Sequence, residues 1–278
     1  LIPVMQKSAS YVLGHTDQEL ERLVTQARLI DPITRRFFLG AGLAPGMRVL
    51  DVGSGAGDVS FLLAELIGAT GEVVGVDRSP IAILTANTRK ASRALANVSF
   101  VEGDPAELKF ERPFDAVAGR YVLMFQPDPA AMLRSLAAHL RPGGVLVFHE
   151  PDWNGSRSHP PVPTYDRCCQ WLVQTLARSG ADPHMGANLA VTMKIAGLPA
   201  ASVHLESIAS AGPDNAGLAT FTADFVRTLL PAILHLGIAT AEEVGVDTLA
   251  ERIRNEMIAS TATIIGRAEI GAWVRIQA

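Results

Sequence analysis

The sequence predicts an α/β protein built on a parallel sheet with helices on both faces. Three observations carry this: short apolar runs alternate with amphipathic segments of helix length, a glycine cluster follows the first run directly, and 278 residues suffice for a core of several layers. In residues 16–30, Thr16 stands three places before Glu19, the spacing of a capping box, and Leu20, Leu23, Val24 and Ala27 share one helical face. Asp31-Pro32 repeats the start signal, an N-cap acceptor followed by a proline whose missing N–H is harmless at the first helical position, so a second, short helix is expected through Leu39 to Gly40 and Gly42. From Arg48 the period changes. Val49-Leu50-Asp51-Val52 lies between Pro45-Gly46 and the glycines, as a strand buried on both faces should.

After Gly57, Val59, Leu62, Leu63, Leu66 and Ile67 fall at helical spacing, and Gly68 stands at the C-cap. Residues 72–77 form a second strand, Ser79-Pro80 opens a helix that ends at Asn97, and 98–102 is a third strand. A fourth strand is expected at 114–119 and a helix from Asp128-Pro129 to Leu140. Arg141-Pro142-Gly143-Gly144 then makes a turn into a fifth strand at 145–149. Residues 151–163 are rich in Pro, Ser, Gly and His and read as a loop before a helix at 164–179. Helical spacing returns at 185–196, and 201–207 suits a sixth strand. Residues 212–266 are mostly helical, with Pro231 interrupting one helix and Thr240 and Glu243 capping another. A final strand alternates over 270–276.

Composition narrows the function. With 48% hydrophobic and 19% charged residues the chain is not disordered, and a net charge of −4 provides no broad basic field for nucleic acid or an anionic membrane. The most apolar run, 228–241, holds Pro231 and His235 and falls short of the roughly 18–20 residues that a membrane span needs. No basic segment followed by an apolar stretch opens the chain, so a cytoplasmic protein is expected, and because Leu1 is not an initiator the numbering is expected to begin within a longer chain. The two cysteines, Cys168 and Cys169, are adjacent, a poor geometry for a disulfide, and suit a reducing compartment.

The strongest chemical signal is Asp51-Val52-Gly53-Ser54-Gly55-Ala56-Gly57. Glycine is wanted where the chain turns with positive φ and where a ligand lies against main-chain N–H groups at a helix start. A dinucleotide fingerprint also follows a first strand, but it wants glycine where this chain has Asp58, and a pyrophosphate is disfavoured beside Asp51 and Asp58. Carboxylates suit a ligand with ammonium or sulfonium charge.

At this point the chain resembles the class I S-adenosylmethionine-dependent methyltransferases, small-molecule branch, including the quinone-biosynthesis enzymes, over residues 48–150. The resemblance implies a Rossmann-like, seven-stranded, mostly parallel sheet with an antiparallel last strand, and S-adenosyl-L-methionine as cofactor, with S-adenosyl-L-homocysteine as product. It implies cofactor contacts from Asp51, Gly53, Ser54 and Gly55 in the loop, from Asp77 to the ribose hydroxyls with Arg78 beside it, and from Gly103, Asp104 and Pro105 at the adenine. Phe114-Asp115-Ala116-Val117 with Gly119-Arg120 matches the fourth-strand motif. Arg120 either meets the cofactor carboxylate or a polar substrate group, or pairs structurally with a carboxylate such as Glu150. Tyr11 and His15 precede the first helix, where related enzymes fold over the cofactor.

His149 and Glu150 end the fifth strand at the carboxyl edge and are the catalytic candidates. Alternation sends them to opposite faces, so one of the two is expected to reach the pocket, and His149 is either a base for the acceptor proton or a hydrogen-bonded structural residue. Trp153, His159, Tyr165, Trp171, Phe221 and Phe225 either line an acceptor pocket or fill the core. No histidine and cysteine cluster has zinc spacing, and no metal site is expected. Arsenic-methylating enzymes use dispersed cysteines, unlike this chain, and Gly119-Arg120-Tyr121-Val122 stands where the nucleic-acid branch carries an Asn- or Asp-Pro-Pro-aromatic motif.

The expected organisation is a helical cap at 1–45, a cofactor-binding core at 46–150 continued at 183–211, lid insertions at 151–182 and 212–266, and a final core strand at 267–278. The expected function is methyl transfer to an oxygen, nitrogen or carbon atom of a small molecule. No nucleic-acid or membrane partner is expected, and a homo-oligomer is left open.

Overall fold

The protein is described by a computed structural model, which covers residues 17–212 and 217–277, with side chains described from Leu29 onward. Helix α1 (Asp17–Gly40) precedes β1 (Arg48–Val52), α2 (Asp58–Ile67), β2 (Glu72–Asp77), α3 (Pro80–Arg93), β3 (Val98–Glu102), β4 (Phe114–Arg120), α4 (Pro129–Ala137) and β5 (Leu140–Asp152). Then follow β6 (Arg157–His159), α5 (Pro163–Arg178), α6 (Met185–Ile195), β7 (Ser202–Ala211), α7 (Gly217–His235), α8 (Ala241–Val244), α9 (Leu249–Ala259) and β8 (Thr263–Arg275). Strands β3, β2, β1, β4 and β5 pair in parallel in that order, and β8 runs antiparallel between β5 and β7. The sheet is therefore the expected seven-stranded, mostly parallel one. A three-residue addition, β6, pairs with the start of β8 on the edge that β5 uses further along.

Period-two alternation divides each central strand between two cores. Val49, Ala116, Ala118, Val145 and Val147 pack with α1 and α2 through Phe38, Leu62, Leu63 and Ile67. Leu50, Val52, Val117, Leu146 and Phe148 face the other side, with Leu133 of α4, Leu172 of α5, Leu189 of α6, Val226 of α7 and Ile253 of α9. Burial on both faces explains why these strands read as unbroken apolar runs.

Several boundaries differ from the sequence reading. Residues 17–40 form one helix with Pro32 inside it, not two helices, because Asp31 caps nothing and instead receives a hydrogen bond from Arg120 Nη1 at 2.7 Å. Thr16, Tyr11 and His15 lie outside the described residues. Pro231 likewise sits inside α7 without ending it, since both flanking turns bury apolar faces that include Phe225, Leu229 and Ile233. That 19-residue helix is long and apolar enough to cross a membrane by length and composition, unlike the shorter run taken from the sequence, and half of its apolar window is buried against neighbouring elements. The last strand begins at Thr263, not at 267 or 270, because its first residues pair with both β6 and β7. Pairing decided this, since alternation is weak in a strand buried on both faces. The capping box at Thr240 and Glu243 is formed as read.

Candidate active site

The loop after β1 turns on three glycines with positive φ: Gly53 at 64°, Gly55 at 52° and Gly57 at 92°. Each is constrained differently. A Cβ on Gly53 would stand 2.7 Å from Val122 Cγ2 and one on Gly57 would stand 2.9 Å from the Phe61 and Phe100 rings, whereas one on Gly55 would meet nothing within 4 Å. Two of the glycines thus let the loop pack down, and Gly55 leaves its outer side open to a ligand. Gly53→Ala is expected to destabilise the fold by about 1–3 kcal/mol, from a left-handed backbone plus the clash, read as a lower urea midpoint. An unchanged midpoint would contradict it.

Polar groups around this loop are not all satisfied. Asp51 is buried; its Oδ2 accepts the Ser60 hydroxyl at 2.5 Å, while its Oδ1 and the buried Ser54 Oγ have no hydrogen-bond partner. Burial pushes the Asp51 carboxyl up to about 7, against the opposing Ser60 hydrogen bond. Asp77, at the end of β2, accepts the Gly55 N–H at 2.8 Å and the Ser79 N–H at 2.8 Å, so one carboxylate fixes both the glycine loop and the start of α3. Gly103 N–H donates to Asp77 O at 2.9 Å, which joins the loop after β3 to the same corner. Asp104 accepts Arg78 Nη2 at 2.5 Å and Ala106 N–H at 2.9 Å, and the Pro105 carbonyl lies 3.1 Å from His139 Nε2. The structure therefore brings Asp51, Gly53, Ser54, Gly55, Asp77, Arg78, Gly103, Asp104 and Pro105 to one edge, outside the carboxyl ends of β1, β2 and β3.

The ends of β4 and β5 hold a second polar cluster. Arg120 Nη1 donates to Asp31 Oδ1 at 2.7 Å and to Thr34 Oγ1 at 2.9 Å, so its carboxylate partner is on α1 and is not Glu150. His149 is fully buried, with Nδ1 3.1 Å from Thr34 Oγ1, Nε2 2.9 Å from Glu269 Oε2, and the Phe37 ring edge-on at 4.9 Å. Burial lowers the His149 pKa, with Glu269 opposing, and the neutral ring is thereby favoured. Burial would raise Glu269, but the Arg267 guanidinium and the His149 bond hold it down to about 2. An ionised Glu269 accepts only, which assigns the His149 proton to Nε2; the Thr34 hydroxyl, 3.1 Å from His149 Nδ1 and 3.1 Å from the Ile30 carbonyl oxygen, has a single proton that only one of these acceptors can take.

Glu150 points the other way. It is fully buried and accepts the N–H groups of Val122 at 2.8 Å, Leu123 at 2.7 Å and Met124 at 3.4 Å, the first turn of the short 3-10 helix Leu123–Phe125. Burial outweighs those bonds and pushes it up to about 8. Both catalytic candidates are thus enclosed and fully engaged, where the sequence had one of them reaching a pocket.

Other residues of this corner were not legible as site residues. Tyr121 is a non-glycine residue at φ 58°, and its hydroxyl donates to Glu269 Oε2 at 2.7 Å and accepts from Arg267 Nη2 at 2.9 Å. Arg267 and Glu269 left a usable trace: two charges at spacing two put both on one face of a strand buried on both sides. Thr34 and Asp31 left none. Of the candidate aromatics, Trp153, Phe221 and Phe225 gather around Arg267. Tyr165 is core, with its hydroxyl on Ile265 O at 2.7 Å, Trp171 is core too, and His159 is exposed.

Residues 43–184, which contain the glycine loop, Asp77, Asp104, Arg120 and Glu150, match the methyltransferase domain family. The chain belongs to that family. Among its relatives, this methyltransferase-family chain is 40% identical over 112 residues to a 2-phytyl-1,4-naphtoquinone methyltransferase of Synechococcus elongatus, covering 38% of this chain and 48% of the relative. It is 35% identical over 121 residues to a demethylmenaquinone methyltransferase of Lactococcus lactis, covering 43% and 46%. It spans about half the length of the curated relatives it matches. The crystal structure of the YcgJ protein from Bacillus subtilis superposes with a TM-score of 0.58 over 90% of this chain and 100% of that one, at 16% identity, a likeness of fold.

Proposed function

We propose that the protein transfers a methyl group from S-adenosyl-L-methionine to an oxygen, nitrogen or carbon atom of a small molecule. The observation that carries this reading is the pair of unsatisfied buried atoms at the glycine loop, Asp51 Oδ1 and Ser54 Oγ, beside the open side of Gly55 and the Asp77 carboxylate. A ligand with an ammonium group and ribose hydroxyls satisfies that donor and acceptor set, and the acidic residues match its positive charge. When bound, the cofactor supplies an already activated sulfonium methyl.

The residues of this chain then hold and enclose. Asp77 takes the ribose hydroxyls while retaining Gly55, Gly103 to Pro105 with Arg78 border the adenine, and Asp51 and Ser54 face the amino acid end. The described parts of residues 151–182 and 212–266 are read as the cover that excludes water, and good orientation of two reactants supplies on the order of 7–11 kcal/mol of a transfer barrier. His149 and Glu150 serve by position: the first joins α1 to β8, the second holds the turn after β4 that packs Val122 on Gly53. Incubation with methyl-labelled S-adenosylmethionine and a metabolite extract containing quinone precursors is expected to give a labelled small product. Cofactor binding without label in any product would overturn methyl transfer, and absence of cofactor binding would overturn the site.

A further inference from the structure

Next to the glycine loop, on the far side of Tyr121 and Val122, lies a corner that none of the cofactor contacts uses. Trp153 follows β5, Arg267 lies on β8, and Phe221 and Phe225 come from α7. The Arg267 guanidinium carbon lies 5.1 Å from the Trp153 ring centroid, 5.5 Å from Phe221, 5.8 Å from Phe225 and 5.0 Å from Tyr121. Trp153 and Phe225 stack at 5.6 Å between centroids. One buried donor here is unused, and an arginine N–H nearby makes no hydrogen bond among the described residues. Trp153 Nε1 is buried with no hydrogen-bond partner in a residue 6% exposed. In Arg267, 7% exposed, Nε donates to Glu269 at 2.8 Å and Nη2 to Tyr121 at 2.9 Å, while Nη1 makes no hydrogen bond among the described residues. A buried donor without a partner is uncommon in native proteins, and Trp153 Nε1, in an aromatic wall and on a ring whose centroid lies 5.1 Å from the Arg267 guanidinium carbon, asks for an acceptor.

Charge fixes the kind of acceptor. Glu269 already neutralises Arg267, Asp31 neutralises Arg120, and His149 is neutral, so an additional anion would leave uncompensated negative charge in an enclosed apolar corner. An uncharged oxygen meets both donors without that penalty.

We propose that Trp153 Nε1–H and Arg267 Nη1–H recognise an uncharged carbonyl or hydroxyl oxygen on an apolar substrate, with Phe221 and Phe225 as the wall for its body. The role of this ligand as methyl acceptor rests on the methyl-transfer reading; its binding does not. Location supports the link, because Val122 touches the glycine loop while its neighbour Tyr121 touches Arg267, which places the corner one residue from the cofactor loop.

Calorimetry with acetophenone, ethylbenzene and benzoate separates the terms, since the three share a ring and differ in the oxygen and its charge. The native chain is expected to bind acetophenone about tenfold more tightly than either of the others. Trp153→Phe, which keeps the ring and removes the N–H, is expected to lose about tenfold for acetophenone, with ethylbenzene and S-adenosylmethionine affinity unchanged. Arg267→Lys, which keeps the charge opposite Glu269, is expected to lose the same preference; should it melt early, Trp153→Phe alone decides. Equal binding of all three probes, tighter binding of benzoate, no binding at millimolar probe, or a Trp153→Phe variant that keeps the preference would each overturn the proposal. If acetophenone is selected as expected but S-adenosylmethionine does not bind, the methyl-transfer reading falls and this site stands.

Discussion

Glu150→Ala is expected to lower unfolding free energy by about 3–5 kcal/mol, a large part of the roughly 5–15 kcal/mol that holds a domain together. The carboxylate is the acceptor for three consecutive N–H groups, at Val122, Leu123 and Met124, and truncation strands all three in a dry core and leaves a void. Glu150→Gln keeps one acceptor oxygen and is expected within about 1 kcal/mol of the native chain. The two variants also differ with pH. Folding raises the proton affinity of Glu150 to about 8, so between the ordinary carboxylate range and about 8 the native state holds more protons than the unfolded chain. Stability contributed by that proton is present at low pH and lost as pH rises through the window. Asp51, raised to about 7, acts in the same direction. The native chain should therefore be more stable toward urea at pH 5.5 than at pH 8.5 so far as these two carboxyls decide it, and Glu150→Gln should show a shallower fall. An Ala variant within 0.5 kcal/mol of native, or a Gln variant with an unchanged slope, contradicts the holding role. A Gln variant that folds normally but loses about 100-fold in turnover would assign Glu150 to the chemistry instead.

Asp77→Ala is expected to weaken S-adenosylmethionine binding about 100-fold, close to 2.7 kcal/mol, with the fold retained. Each hydrogen bond to a charged group contributes on the order of 1.5–3 kcal/mol, and this carboxylate also holds the Gly55 and Ser79 N–H groups in place before any ligand arrives. Its truncation thus removes ligand acceptors and loosens the loop together. Asp77→Asn, which keeps one acceptor oxygen and loses the charge, should fall between the two. Calorimetry reads the affinity and thermal melting the fold. Equal affinity in the Ala variant would show that the cofactor is held elsewhere.

The edge that gathers the glycine loop, Asp77 and Asp104 was legible because its information is local. A buried strand, glycines at alternate positions and a carboxylate ending the next strand occupy short windows, and backbone stereochemistry dictates the residue type at each place, as the positive φ of Gly53, Gly55 and Gly57 shows. The fold class was legible for the same reason, since unbroken apolar runs between helices require cover on both faces. The corner around Arg267 was not. Its members come from Asp31 and Thr34 on α1, Tyr121 after β4, His149 on β5, Trp153 after it, Phe221 and Phe225 on α7, and Arg267 and Glu269 on β8, and no window of the chain holds more than a few of them.

The same contrast explains Asp31-Pro32, where a sound local signal for a helix start gave way to tertiary need. The buried Arg120 takes the carboxylate, and α1 runs on through the proline. The sequence alone determined the alternation of strands and helices in the α/β half, the glycine loop and the acidic residues beside it, because short-range geometry restricts those residues directly, whereas the order in which the strands pair came from the structure. Only the tertiary structure decided what His149 and Glu150 do, where the last strand begins and which side chains surround Arg267. Those outcomes depend on which distant segments meet in the low-dielectric interior, where a charge or N–H without a partner is too unfavourable to persist.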